Sequence, residues 1–374
     1  MRFTAKAGIC AAATALAVGA FAPSASAQLA NDWKFGKPFI NQFKKVDVVA
    51  STVPANGDVN PYGVAVIPRS KDKLHKGDVL VSNFNNAGNL QGTGTTIVQI
   101  SRDGNVRLFA QIDAGKLPGA CPGGVGLTTA LVVLRTGWVI VGSLPTADGT
   151  SATAQSGCLI VLDSKGEVRE TFSGGGINGP WDMTAADNGG SVDLFLTNVL
   201  NGIVGGQPAT TNQGTVLRLE LKIEGNKPPA LRKTTTIASG FTEQTDPTAL
   251  IIGPTGVGLG RDGTLYVADT VASRIAAIPN AIGRMTNAGT GRTVTAGQHL
   301  NGPLGLAIAP NGNVLTVNGG DGNIVETNPL KKAQVAFRTL DGLGAGALFG
   351  LAVAPDNRGV YFVDDTNNEL RLLH

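Results

Sequence analysis

Six short apolar segments of this 374-residue sequence end on a polar residue: Asn83, Ser143, Asn198, Asp269, Asn318 and Asp364. They close the stretches GDVLVSN, WVIVGS, DLFLTN, TLYVAD, NVLTVN and GVYFVD. Another candidate, Asp182, stands beside Trp181 in NGPWDMTA (178–185). Amide and carboxylate oxygens are hard donors, a set that suits Ca²⁺ or Mg²⁺ and not zinc. Asp182, Asn198 and Asp269 are the residues expected to hold such a divalent cation, and Trp181 beside a carboxylate makes an amphipathic platform for a ligand. A second reading needs no ligand: Asn and Asp at strand ends satisfy backbone N–H groups of the following turn. Asp269-Thr270 and Asp364-Asp365-Thr366 fit that capping role. A buried carboxylate at Asp182 would need a partner or a cation.

Other chemistries find less support. The three histidines, His75, His299 and His374, are scattered, and no GxSxG elbow is present. Zinc chemistry and Ser-His-Asp hydrolysis are therefore disfavoured. Gly258 to Gly263 (GLGRDG) fits the dinucleotide pattern GxGxxG, but that motif must open a helix, and here TLYVAD reads as a strand. The formal net charge is +3. Two of those positive charges, Arg2 and Lys6, sit in the leader, so the remainder is nearly neutral and lacks the basic stripe of a nucleic-acid binder.

The elements that must position these residues repeat. A phrase recurs as NPYGVAV, CPGGVGL, GPTGVGL, GPLGLAI and ALFGLAV, with NGPWDMTA as a sixth copy in which Asp182 replaces the glycine. The phrase positions are Gly63, Gly124, Asp182, Gly256, Gly305 and Gly350. Each phrase precedes one of the six segments above, and third and fourth strands follow, joined by turns such as Arg102-Asp103-Gly104-Asn105. Glycine, at 52 residues, is about twice as common as the usual ~7 %. Four short strands per unit, repeated at a long period, predict an all-β, six-bladed β-propeller. The last unit has three strands before the chain stops, while KKVDVVAS (44–51) is a strand without a blade. The last blade is thus expected to be completed by this N-terminal strand, which gives 24 strands in all and protects an otherwise open edge.

GPTGVGLGRDGTLYVADTVASRI (253–275) and LFGLAVAPDNRGVYFVDDTNNELRLL (348–373) resemble NHL repeats. The six-bladed architecture is similar to that of gluconolactonase (SMP-30)-type lactonases and of virginiamycin-B-lyase-like proteins. The lactonase resemblance implies a metal site with a glutamate near the chain start. The first glutamate of this chain is Glu167, which departs from that pattern.

Arg2 and Lys6, an apolar run from Ala7 to Phe21 and the Ala25-Ser26-Ala27 site predict a signal peptide over 1–27. The expected mature protein, 28–374, is one propeller domain, a monomer without a membrane span, exported to the periplasm or beyond. In that oxidising compartment Cys121 and Cys158 are expected to form a disulfide. The segments 84–95, 144–156 and 199–213, between second and third strands, are long and poor in charge. They should rise from adjacent blades as a wall over one face, where loops commonly carry function. The expectation is a binding or scaffold propeller that engages a small molecule, glycan or protein on that face. The alternative is a metal-dependent, lactonase-like hydrolase or lyase using rim carboxylates.

Overall fold

The computed structural model describes Met1 and residues 37–342 and 344–374. The chain divides into Met1–Gly36 and Lys37–His374, and only the second is described below. The expected leader and its cleavage site lie outside the described residues, apart from Met1.

Six antiparallel sheets follow one another along the chain. Blade 1 holds β2 to β5 (Val59–Val66, Val79–Asn85, Thr96–Ile100, Val106–Gln111), and blade 2 holds β6 to β9 (Leu127–Val133, Val139–Ser143, Cys158–Leu162, Val168–Phe172). Blade 3 has five strands, β10 to β14 (Gly179–Asp187, Ser191–Val199, Thr210–Lys222, Ala230–Asp246, Leu250–Ile252). Blade 4 contains β15 to β18 (Pro254–Leu259, Leu265–Asp269, Arg274–Ile278, Arg292–Ala296), and blade 5 contains β19 to β22 (Pro303–Ile308, Val314–Asn318, Asn323–Asn328, Ala333–Thr339). Blade 6 is built from β23 to β25 (Leu348–Val353, Val360–Asp364, Glu369–Leu373) and from β1 (Val46–Ser51). The fold is a six-bladed β-propeller with its last sheet completed by the N-terminal strand. The GLGRDG stretch ends β15 and forms the turn into β16, a strand and not a helix: Gly258, inside β15, is paired with Tyr266, and Gly260 and Gly263 lie in the turn, so the dinucleotide pattern lacks its helix.

Middle strands are packed on both faces against neighbouring blades, so β3, β4, β7, β8, β16 and β24 are buried at every position. They read as continuous apolar runs for that reason. The fourth strand of a blade faces water, and β5 is exposed at four of its six positions.

Closure is heavily bonded. Val46 lies opposite Leu373 and Ser51 opposite Glu369. Lys44 and Lys45 donate backbone N–H bonds to the His374 carbonyl, and His374 Nε2 lies 2.7 Å from Asp47 Oδ2. The 3₁₀ turn before β1, Phe39–Gln42, is held by Glu326, a buried residue of β21. Its carboxylate accepts from the backbone N–H groups of Phe39 and Ile40 and from the side-chain amides of Asn311 and Asn313.

Two features go beyond the expected 24 strands. β12 and β13 are long, at 13 and 17 residues, and β14 folds back onto the end of β13. Every inner strand carries a bulge, with register shifts at Pro61/Gly63, Leu127/Leu131, Pro180/Met183, Pro254/Val257, Pro303/Leu306 and Leu348/Leu351. In blade 2 it falls after the phrase: CPGGVGL (121–127) runs ahead of β6, and Gly124 is a turn glycine at φ 95°, not the inner-strand position the sequence implied. The glycine after the bulge lets adjacent inner strands touch. A Cβ at Gly305 would lie 2.1 Å from the Phe349 carbonyl oxygen, and one at Gly350 would lie 2.2 Å from that of Tyr62. No side chain fits such a gap.

Candidate functional site

The residue before the phrase position is aromatic in blades 1, 3 and 6. These three meet on the axis. Tyr62 stacks on Phe349 with ring centroids 3.9 Å apart, and Trp181 lies 6.4 Å from each. Phe84 stacks on the other side of Tyr62 at 4.5 Å, and Leu304 joins the same buried cluster. Trp181 Nε1 donates to the Ile251 carbonyl, so β14 covers the stack. The axial mouth on the loop-walled face is therefore closed by an aromatic plug. Trp181 is 3 % exposed and serves as part of that plug, not as an open platform.

Below the plug the channel widens into a cavity of about 440 Å³, lined by inner-strand residues downstream of the phrase, such as Val66, Leu131, Met183 and Leu306. Asp182 lies at its inner end, buried. Its Oδ1 accepts from the Met183 N–H at 2.8 Å and its Oδ2 from the Val257 N–H, in blade 4, at 3.1 Å. Burial pushes its carboxyl up to about 8, against the opposing pull of those two N–H groups. Where blades 4, 5 and 6 meet the next blade backbone to backbone at Gly256, Gly305 and Gly350, Asp182 bridges blades 3 and 4 with a side chain that holds a proton at neutral pH.

The six residues at the ends of second strands sit opposite the starts of their inner strands, level with the plug: Asn83 with Pro61, Ser143 with Leu127, Asn198 with Pro180, Asp269 with Pro254, Asn318 with Pro303 and Asp364 with Leu348. Their side chains turn into the blades. Asn83 donates to the Thr52 carbonyl, Asn318 to that of His299, and Ser143 to that of Gly124. Asp364 accepts from the Asn367 N–H and pairs with Arg371 at 3.2 Å. The expected metal ligands fall into three separate networks. Asp182 binds the backbone as above, Asn198 accepts from Asn178 N–H and donates to the Gly176 carbonyl, and Asp269 pairs with Arg274 at 2.7 Å. Of these candidates only Asp182 lines the axial cavity. Among the described residues no group of three or more His, Cys, Asp or Glu side chains is placed to hold a metal ion.

The open site on the loop-walled face lies beside the axis, between blades 1 and 6. It is a pocket of about 660 Å³ lined by Asn60, Asn85, Gln91, Thr248, Asp365 and Asn368, among others. Asn60 opens the first phrase and sits at φ 60°, with its N–H bonded to Asn368 Oδ1 at 2.7 Å. Gln91 Nε2 reaches the Pro247 carbonyl at 2.7 Å, and Asn85 Nδ2 reaches Asn89 Oδ1 at 2.7 Å. Asp365 follows Asp364 and therefore points the other way, out of the blade. Burial, and then the neighbouring charge of Asp364, push its carboxyl up to about 7. These pocket residues were not candidates in the sequence. The signal available was the doubled aspartate of Asp364-Asp365-Thr366, one of whose members had to face away from the blade.

The three long loops do form a joined wall. Thr146 of the second loop donates its hydroxyl to the Gln91 carbonyl, and its N–H goes to the Gly92 carbonyl of the first. Ser151 and Ala152 lie against Gly206 of the third. The Cys121–Cys158 disulfide is present, with its Cα atoms 5.1 Å apart, at the base of the second loop. No helix of the described residues is long and apolar enough to cross a membrane.

Fold and site together define a six-bladed propeller with a plugged axis and a lateral polar pocket. No protein-family profile matches the chain, and no curated protein matches it. Solved structures do. One is a gluconolactonase from Xanthomonas campestris, 13 % identical over 88 % of each chain, with a TM-score of 0.56. A second is the PQQ-bound form of aldose sugar dehydrogenase from Streptomyces coelicolor, 15 % identical over 88 % of this chain and 97 % of that one, at 0.52. A third is regucalcin, a calcium-binding protein from Agrobacterium tumefaciens, 13 % identical over 86 % and 92 %, also at 0.52. At these identities the likeness is one of fold, which hosts lactonases, a dehydrogenase and calcium binders alike.

Proposed function

We propose that this is an exported propeller that binds a small polar organic molecule in the pocket between blades 1 and 6. The observation that carries the reading is the pairing of a plugged axis with an open lateral pocket that holds a carboxyl titrating near neutrality, Asp365. Sites of this kind, concave and with convergent polar groups and a perturbed acid, are where small ligands bind. The three joined loops and Pro247 make the pocket's wall firm.

The second reading is hydrolysis of a lactone or ester, and one observation favours it: a carboxyl poised at about 7 suits general-base activation of water. The gluconolactonase among the fold neighbours supplies the first substrates to try. The metal route implied by the lactonase resemblance does not fit the described residues. Asp182 is committed to backbone N–H groups, and aromatic rings occupy the axial mouth. We derive no step through a cation there.

The test is thermal unfolding of residues 28–374 in the presence of sugars, sugar lactones, amino acids and amines. A ligand at ~100 times its Kd stabilises the native state by about 2.7 kcal/mol. A stabilising compound whose effect vanishes in Asp365→Asn supports the pocket. Binding that survives this change, or maps to the axial cavity, refutes it. Lactone turnover that falls at least tenfold in the same variant would select the hydrolase.

A further inference from the structure

The seam between blades 1 and 6 holds a second cavity at its other end, on the face away from the long loops. It measures about 240 Å³ and lies among the connections 67–78 and 354–359, which follow the inner strands of those blades, and the turn between β4 and β5. Three cations line it: Lys76, Arg102 and Arg358. All three are exposed, and none of their side chains makes a hydrogen bond or an ion pair with a described residue. Like charges gathered around so small a space repel one another, and an anion placed between them turns that repulsion into attraction.

The backbone that carries these cations is fixed. The Gly77 N–H bonds to the Ile67 carbonyl at 2.9 Å, and the Gly104 N–H to that of Ser101 at 2.9 Å. A Cβ at Gly104 would lie 2.6 Å from the Val49 carbonyl oxygen, so the turn bearing Arg102 packs against β1. Tyr361 of β24 also lines the cavity and is only 3 % exposed. Its hydroxyl has no hydrogen-bond partner and is not sealed off from the cavity. Burial holds that hydroxyl protonated, above its ordinary range, against the pull of Arg102, so it is a donor in search of an acceptor.

Two carboxylates share the lining. Asp78 is already engaged: its Oδ2 accepts from Gln99 Nε2 at 2.8 Å and lies 3.7 Å from His75 Nδ1. Asp356 stands exposed at the rim. The cations remain in excess, and their donors outnumber what a carboxylate can accept. Each guanidinium offers five N–H donors and the ammonium three. One arginine fork satisfies both oxygens of a carboxylate. A phosphate monoester brings three acceptor oxygens and close to two charges at neutral pH, enough for two arginines and the tyrosine hydroxyl together. The cavity is smaller than the ~300–1,000 Å³ of pockets that enclose a whole drug-sized ligand, so it suits a phosphate head and not the body attached to it.

We propose that this cavity is an anion site for a phosphate monoester, whose oxygens accept from Arg102, Arg358 and the Tyr361 hydroxyl while Lys76 adds charge at the rim. The site is separate from the pocket on the loop-walled face and does not depend on what binds there.

The experiment is isothermal titration of residues 28–374 at pH 7.5 and constant ionic strength with phosphate, glycerol 3-phosphate and acetate as separate probes. Co-sedimentation with phosphatidylcholine vesicles, with and without phosphatidic acid, runs beside it. Phosphate and glycerol 3-phosphate are expected to bind, and acetate about tenfold or more weaker. Arg102→Gln and Arg358→Gln alter exposed turn positions and should each weaken binding about tenfold, since a charge-assisted bond becomes a neutral one. Tyr361→Phe keeps the ring in the core and should weaken it by a smaller factor. Sedimentation only with phosphatidic acid, lost in both arginine variants, supports the site and names a lipid headgroup as the source. Tight glycerol 3-phosphate binding without sedimentation supports it with a free phosphorylated compound. Acetate binding as tightly as phosphate, or binding that survives both arginine changes, overturns the phosphate assignment. No heat with either phosphate and no sedimentation refutes the site.

Discussion

Replacing Asp182 by asparagine should make the protein more stable at neutral pH, and the size of the gain should depend on pH. Asp182 is buried between blades 3 and 4 and its carboxyl is pushed up to about 8 from an ordinary 3.8. Between those values the folded chain holds a proton that the unfolded chain releases. More protons are then bound in the native state, so stability falls as pH rises. The slope is about 1.4 kcal/mol per pH unit while the difference persists. From pH 4.5 to pH 7 this amounts to about 3 kcal/mol lost by the wild type through this one group. The asparagine side chain does not titrate and keeps an oxygen for the Met183 N–H, so the variant lacks that loss. Its amide N–H₂ would face the Val257 N–H, a fixed cost of about 1–3 kcal/mol that does not vary with pH. Glu243 and Asp365, both pushed to about 7 by burial, tilt wild type and variant together and cancel in the difference. Urea unfolding of both proteins at half-unit steps from pH 4.5 to 8.5 measures this directly. The stability of Asp182→Asn minus that of wild type should climb by about 3 kcal/mol up to pH 7 and level off near pH 8. Two parallel curves would show that Asp182 is ionised in the folded protein, and the argument from burial would be wrong.

Three further outcomes are expected. Cys158→Ser opens a bond spanning 37 positions, for which the chain-entropy estimate is about 4 kcal/mol; equilibrium unfolding with and without reductant should differ by that order in the wild type only. Glu326→Ala strands two backbone N–H groups and two asparagine amides in a buried site, and should cost about 3 kcal/mol or more, with amide exchange of residues 46–51 rising first. Trp181→Ala removes the ring that faces Tyr62 and Phe349 and should cost about 3–5 kcal/mol by chemical denaturation, while an intact native fold that binds an aromatic such as indole would show the axial mouth reopened.

Much of the architecture was legible because the repeats are local. The phrase, the strand after it and the turn beyond lie within about twenty residues of each other, so a short apolar run bounded by turn residues is enough to place each strand. The end-to-end closure was legible from counting strands. The site was less so. Asn83, Asn198, Asp269, Asn318 and Asp364 lie opposite the starts of the inner strands, but their side chains turn into the blades: Asp364 caps its own turn, as the ligand-free reading had it, while Asn83, Asn198 and Asn318 tie the strand end to the segments before the inner strand. The plug was visible as Tyr62, Trp181 and Phe349 at one phrase position, yet only packing across the ring shows that three aromatics from blades 1, 3 and 6 touch. β14 and the pocket depend on segments near residues 60, 85–91, 247 and 365, which no local pattern connects.

The strand that closes the ring has a consequence for the order in which the chain is made. Asp47 and His374, which touch in the folded protein, are 327 positions apart. At ~5–20 residues per second, β1 exists for on the order of tens of seconds before its partner has been synthesised. During that time five blades can form while β1 remains an unpaired strand bearing Val46, Val48 and Val49, a ready template for the wrong neighbour. The exposed charges of Lys44, Lys45 and Asp47 sit where they would discourage such pairing. The same three residues bond to His374 once the last blade arrives. The segment that locks the ring thus also guards the nascent chain until there is a ring to lock.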